Sequence, residues 1–262
     1  MAQYGDGLFE TLRVSNGVAE YADRHLQRLQ AGCARLRLVF DDWQGLDTEL
    51  RTHARECADG VIKIILGRAA GGRGYRFAPD QAVTRILSTH PLPDMPHPYG
   101  EEGVQLCLCE LRLGLQPALA GIKHLNRLEQ VLARAEWQQE YAEGLMLDSD
   151  GRLVEGTMSN LFLVREGVLL TPRLDVCGVA GVMRSVLMDL AAAQGVEVRC
   201  QTVWPDDLAS VEEVFVCNSL IGIWPVAAIG KQHTYVPGAV TRMLQAALSR
   251  DDRTRTGRWY NE

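Results

Sequence analysis

Pro91-Leu92-Pro93-Asp94-Met95-Pro96-His97-Pro98 is the stretch on which the fold turns. Four prolines in eight residues cannot donate to a strand ladder or continue a helix, and each stiffens the chain. The run reads as a linker, 91–98, between a small domain, 1–90, and a larger one, 99–248, with a charged tail, 249–262. Before it, Leu8 to Val14 alternates as a strand, and Arg24 to Leu38 places Leu26, Leu29, Cys33 and Leu36 at helical spacing. Val61-Ile62-Lys63-Ile64-Ile65-Leu66 is a β-branched strand, with Val83 to Thr89 as its partner across the glycine-rich loop Gly67 to Tyr75. After it, Val104 to Glu110 is a strand. Ile122 to Tyr141 reads as a helix with Leu125, Leu128, Leu132 and Ala135 on its apolar face. Ser149-Asp150-Gly151 signals a hairpin, two short strands flank Arg165-Glu166-Gly167, and Gly178-Val179-Ala180-Gly181 opens a helix from Val182 to Ala193. Val214 to Cys217 is a late strand ending at Asn218-Ser219. Strands and helices mix without strict alternation, which predicts an α+β fold rather than a doubly wound sheet.

Composition narrows the function. Of 262 residues 47% are hydrophobic, enough for a proper core, and the net charge of −6 offers no field to nucleic acid or anionic lipid. The cysteines (Cys33, Cys57, Cys107, Cys109, Cys177, Cys200, Cys217) are odd in number and scattered through apolar stretches, which fits reduced thiols. Cys107 and Cys109 share one strand face and read as packed core thiols. Nothing has zinc-ligand spacing, so no metal is expected. No signal peptide opens the chain, and no apolar run approaches the roughly 18 residues of a membrane span. The expected compartment is the cytoplasm.

Three groups of residues offer chemistry. Lys123 stands beside apolar neighbours at an element boundary, where partial desolvation favours the neutral amine of a nucleophile; a plain surface lysine is the competing reading. Gly181 opens a helix whose first N–H groups, at Val182 and Met183, suit an anion, and Ser219 and Arg28 add donors. Each also reads as a turn, a cap or a solvated face. Glu155 closes an apolar strand, where a burial cost would call for a cationic partner, unless it is simply exposed. The Gly67 to Tyr75 loop lacks the Gly-Lys-Ser/Thr of a phosphate loop, although its Arg73 suits a carboxylate. Ser159 lies in no nucleophile-elbow motif.

The order of these pieces carries more than any one of them. Tyr4-Gly5-Asp6-Gly7-Leu8-Phe9-Glu10-Thr11, His25-Leu26-Gln27-Arg28-Leu29, the Lys123 segment, Glu155-Gly156-Thr157-Met158-Ser159-Asn160-Leu161-Phe162 and Gly181-Val182-Met183-Arg184 follow one another along nearly the whole chain. In this the chain resembles the fold-type IV pyridoxal-phosphate enzymes, which include branched-chain and D-amino-acid aminotransferases and a lyase branch acting on 4-amino-4-deoxychorismate. Gly121-Ile122-Lys123-His124-Leu125-Asn126-Arg127-Leu128-Glu129-Gln130 and Gly71-Gly72-Arg73-Gly74-Tyr75 look like the lyase branch.

The resemblance implies two domains, a small α/β one followed by a larger one with a mixed sheet, and a homodimer. It implies pyridoxal 5'-phosphate on Lys123, with Glu155 at the pyridine nitrogen and Tyr141 at the ring hydroxyl. Arg28, Gly181, Val182, Met183 and Ser219 would hold the phosphate. Thr11, Arg73, Ser159 and Asn160 would face a dicarboxylate substrate, cleaved to 4-aminobenzoate and pyruvate for folate biosynthesis. An aminotransferase of the same fold would instead make glutamate, and a non-catalytic ligand-binding protein would be colourless. Relatives carry a strand before Tyr4-Gly5-Asp6-Gly7; here Met1 stands three residues ahead, so that strand is expected to be absent or the start assigned late.

Overall fold

The structure, a computed structural model, describes residues 3–71, 74–94 and 98–251 and divides into two compact units. One takes the chain as far as Asp94 together with Ile122–Asn126; the other holds the remainder up to Asp251.

In the first unit β1 (Gly7–Ser15) and β2 (Val18–Ala19) form a hairpin, followed by helices α1 (Ala22–Leu36) and α2 (Trp43–Cys57) and then β3 (Gly60–Arg68) and β4 (Val83–His90). The sheet order is β2-β1-β3-β4, antiparallel throughout. Period-two alternation divides β1 between its faces. Leu8, Glu10, Leu12 and Val14 are buried, while Phe9, Thr11 and Arg13 are half-buried on the other side. Helix α1 turns Leu26, Leu29 and Cys33 into the core. It packs on β1 so closely that a Cβ at Gly32 would meet Leu8 at 2.8 Å. Arg68 closes the α1 end by donating to the carbonyls of Leu36 and Arg37, and its Nε bonds Asp6 at 2.8 Å. One of the glycine-rich loop's two arginines is therefore structural. The other, Arg73, lies outside the described residues.

The second unit contains α3 (Tyr99–Glu102), β5 (Val104–Leu113), α4 (Leu128–Arg134), β6 (Glu143–Asp148), β7 (Leu153–Gly156), β8 (Asn160–Arg165) and β9 (Val168–Pro172). Then come α5 (Val182–Ala193), β10 (Val198–Gln201), a 3-10 turn at Pro205–Ser210, β11 (Glu213–Asn218), β12 (Gly222–Ile229), β13 (His233–Thr234) and α6 (Ala239–Arg250). The strands run β10-β9-β8-β11-β12-β5-β6-β7, and β7 pairs back onto β8, closing a ring of six. Three pairings are parallel and the rest antiparallel, which makes the sheet mixed. Leu106, Leu145, Leu147, Leu161, Leu163, Val214 and Val216 fill one core, and Phe162 stacks on Phe215 at 4.9 Å. Because β8 is buried on both faces, it reads as a continuous apolar run rather than an alternating one. Among the described residues no helix is long and apolar enough to cross a membrane. The α+β expectation holds.

The expected helix over Ile122 to Tyr141 is corrected. Only Leu128–Arg134 is helical. The backbone before it is claimed elsewhere: Phe9 N–H donates to Lys123 O, Leu125 N–H to Gly7 O, and Leu8 bridges His124. A backbone bonded to a strand edge cannot also close helical turns. The buried side of α4 is Gln130 and Ala133, followed by Trp137, not the expected leucine face. Helices α2 and α6 and strand β12 were not anticipated. The expected tail from Ser249 begins inside α6, and residues 252–262 lie outside those described, as do Met95, Pro96 and His97 of the linker.

Candidate active site

Lys123 belongs to the first unit, where its amine stands 4.3 Å from the centre of the Phe9 ring. The Lys63 amine approaches the same ring at 5.4 Å. Thr11 pairs with Lys63 across β1 and β3, so it lies on this half-buried face of the sheet. The two amines thus flank one aromatic ring.

On the opposite face of β1 the buried Glu10 gathers three donors. Oε1 accepts from Arg28 Nε at 2.8 Å, and Oε2 accepts from Arg28 Nη2 at 2.5 Å and His25 Nδ1 at 2.6 Å. Burial alone would raise the Glu10 pKa, but Arg28 and His25 outweigh it and hold the carboxyl at about 2. His25 is lowered, first by burial and then, against the pull of Glu10, by Arg28 and Lys123. With Glu10 ionised and His25 neutral, the imidazole proton resides on Nδ1. A depressed carboxylate stabilises the fold above its unfolded value of about 4.5 and loses that contribution as pH falls toward 2. The stability advantage of the wild type over Glu10→Gln is therefore expected to shrink by on the order of 3 kcal/mol between pH 4.5 and 2. Chemical denaturation at several pH values checks it.

In the second unit Glu155 is buried in β7. Its Oε2 accepts from Val179 N–H at 2.8 Å and from the Asn160 amide at 3.5 Å, while that amide donates to Val179 O at 2.8 Å. Burial lowers the pKa of Arg127, opposed by its attraction to Glu155 and Glu129. Asn160 thus supports Glu155. A Cβ at Gly181 would fall 2.0 Å from Asn160 Oδ1, so the residue opening α5 has no room for a side chain. Gly181→Ala is expected to push Asn160 off Val179 and lower the unfolding free energy by about 1–3 kcal/mol, readable by chemical denaturation.

Helix α5 begins at Val182 with no side-chain cap and no acidic residue in its first turn. Its first internal bond is Ser185 N–H to Gly181 O, so the N–H groups of Val182 and Met183 have no acceptor within the helix. Arg184 does not serve that end; it ties α5 to β9 through Thr171 Oγ1 and Pro172 O. Ser219 follows Asn218, whose side-chain oxygen accepts from Leu220 and Ile221 N–H and whose amide donates to Met158 O. Ser159 turns to Glu143 instead of outward. That buried carboxylate accepts from Ser159 Oγ, Thr157 Oγ1 and the N–H groups of Gly144, Thr157 and Met158. Tyr141 packs, half-buried, against the apolar cluster that includes Trp137 and Met146.

The structure brings Lys123 together with Phe9, Lys63 and Thr11, Arg28 with Glu10 and His25, and Glu155 with Asn160 and Arg127. Reading by residue type did not single out Glu10, His25, Lys63, Arg127 or Glu143. A lone acidic residue in the apolar alternation of Leu8, Leu12 and Val14 was the available signal for Glu10.

The class IV aminotransferase model matches residues 7–229. The chain is 38% identical over 252 residues to an aminodeoxychorismate lyase of Vibrio harveyi, covering 94% of this chain and 93% of that one. It is 26% identical over 254 residues to a D-alanine aminotransferase of Bacillus licheniformis, covering 94% and 87%. The crystal structure of 4-amino-4-deoxychorismate lyase from Pseudomonas aeruginosa matches with a TM-score of 0.91 and 49% identity, over 95% of this chain and 92% of that one. With the family model matching most of its length and a lyase relative 38% identical over 252 residues, the chain belongs to the class IV aminotransferase family.

Proposed function

We propose that this chain is a pyridoxal-phosphate-dependent lyase that converts 4-amino-4-deoxychorismate to 4-aminobenzoate and pyruvate. The similarity to lyases over nearly the whole chain, at 49% identity to one of known structure, carries the reading. The donors fit the cofactor's chemistry: a lysine amine, a buried carboxylate, a buttressed guanidinium and a helix start with no side-chain cap. Bound there, pyridoxal phosphate supplies an electron-accepting ring.

The chain's own residues direct that chemistry. Lys123 would tether the cofactor through its amine, and the same amine would take the proton from substrate C4 and deliver one to the departing enolpyruvyl group. Glu155 holds a proton at the pyridine nitrogen. Arg28, Gly181, Val182 and Met183 through their N–H groups, and Ser219 hold the phosphate, and Tyr141 serves the ring hydroxyl. Thr11 and Lys63 face the substrate, where Lys63 offers a carboxylate its charge. Ser159 and Asn160 act through the groups they hold in place. Aromatisation of the product drives the cleavage.

The decisive assay incubates the protein with 4-amino-4-deoxychorismate and pyridoxal phosphate. Equal yields of 4-aminobenzoate and pyruvate are expected; glutamate formed from 2-oxoglutarate, with no 4-aminobenzoate, would make it an aminotransferase.

We further propose a cytoplasmic homodimer. Leu128, Val131 and Leu132 of α4 are 75%, 59% and 59% exposed and share one helix face, an apolar patch that a second copy would cover. Leu132→Asp is expected to shift the protein toward monomer in sedimentation equilibrium; an unchanged dimer would place the contact elsewhere.

A further inference from the structure

Between β1 and α1 the interior is made of Leu8, Leu12, Val14, Leu26 and Leu29, yet Glu10, His25 and Arg28 lie among them. Replacing such a buried ion pair by apolar side chains is often neutral or stabilising, so stability alone gives little reason for it. Its geometry gives a better one. Glu10 grips Arg28 side-on through Nε and Nη2, which fixes the guanidinium plane. A guanidinium gripped along one edge cannot turn within its own plane, so its other edge faces one fixed direction. His25 bonds the same Oε2 and keeps the carboxylate from rotating.

We propose that Glu10 is a positioning residue for the phosphate end of the cofactor: with His25 behind it, it sets the one orientation in which Arg28 meets a phosphate. The inference rests on Arg28 being a phosphate ligand. Two effects oppose each other at this carboxylate. Its negative charge repels a phosphate, so neutralising it should tighten binding, whereas losing the grip on Arg28 should weaken it. Orientation is the larger, because the phosphate already meets other donors and the charge of Glu10 is offset by Arg28.

The test measures dissociation constants of the apoprotein for pyridoxal phosphate and for pyridoxal, which has no phosphate, by quenching of tryptophan fluorescence. Glu10→Gln is expected to weaken pyridoxal phosphate about tenfold while pyridoxal stays within about twofold. Arg28→Met should weaken pyridoxal phosphate further, and adding Glu10→Gln to it should cost nothing more. Tighter or unchanged pyridoxal phosphate binding in Glu10→Gln, alongside a loss in Arg28→Met, overturns the role of Glu10 and leaves Arg28 in place. Equal losses for both ligands make Glu10 merely structural and also overturn it. If Arg28→Met keeps the preference for the phosphorylated ligand, the reading of Arg28 itself fails. Should Glu10→Gln not fold, Glu10→Asp carries the test: it keeps the charge but cannot span both nitrogens, and the same selective loss is expected.

Discussion

Lys123→Ala is expected to abolish formation of 4-aminobenzoate, by at least about four orders of magnitude, and to remove the visible absorbance of the bound cofactor. The size follows from the two tasks the amine performs. In the proposed function it would be the covalent tether for the aldehyde and would carry the proton between C4 and the leaving group, a role that alone supplies roughly 10²–10⁴. The fold should survive. The bonds that hold the segment to β1 are made by the backbone of Lys123 and Leu125, which the substitution leaves in place. Far-UV circular dichroism and the unfolding midpoint should stay close to wild type, so lost activity cannot be ascribed to unfolding. Residual turnover above a hundredth of wild type would remove Lys123 from the reaction.

Glu155→Gln should be the next most damaging change, lowering kcat by about 10²–10³, the usual loss when one preorganised charge partner is removed from a site of developing charge. Glutamine keeps the shape and an oxygen to accept from Val179 N–H, so the support from Asn160 and the β7–β8 pairing persist. What disappears is the charge that, in the proposed function, would keep a proton on the pyridine nitrogen. Arg127, half-buried and balanced by Glu155, loses part of its compensation as well, so a modest fall in stability should accompany the kinetic defect. Steady-state kinetics and thermal melts separate the two. A kcat within threefold of wild type would show that the glutamate plays no part at the ring.

Much of this was legible from residues, and what was not has a physical cause. Helix α5 shows its bounds because Gly181 opens it and its apolar face repeats cleanly from Val182. The β6–β7 hairpin shows through Ser149-Asp150-Gly151, with Gly151 at φ 86° in the turn. The segment from Ile122 deceived because helical periodicity is local information. Leu125, Leu128 and Leu132 have the right spacing, but nothing in the spacing says that Gly7 and Phe9 bond the backbone before Leu128, or that Leu128 and Leu132 point outward. Helix α2 carries its own signals in the sequence: Asp42 caps it, and Leu46, Leu50 and Ala54 recur every four residues. In the site, Lys123, Arg28 and Glu155 emerged from motif order. The cluster of Glu10, His25 and Arg28 needs a strand and a helix to be packed together before it exists, and no spacing along the chain announces that packing.

The most direct test of the account is chemical. The protein is loaded with pyridoxal phosphate, reduced with borohydride, digested and mapped by mass spectrometry. The account predicts one irreversibly labelled peptide carrying the cofactor on Lys123. Label on Lys63 with none on Lys123, or no label at all, would contradict it.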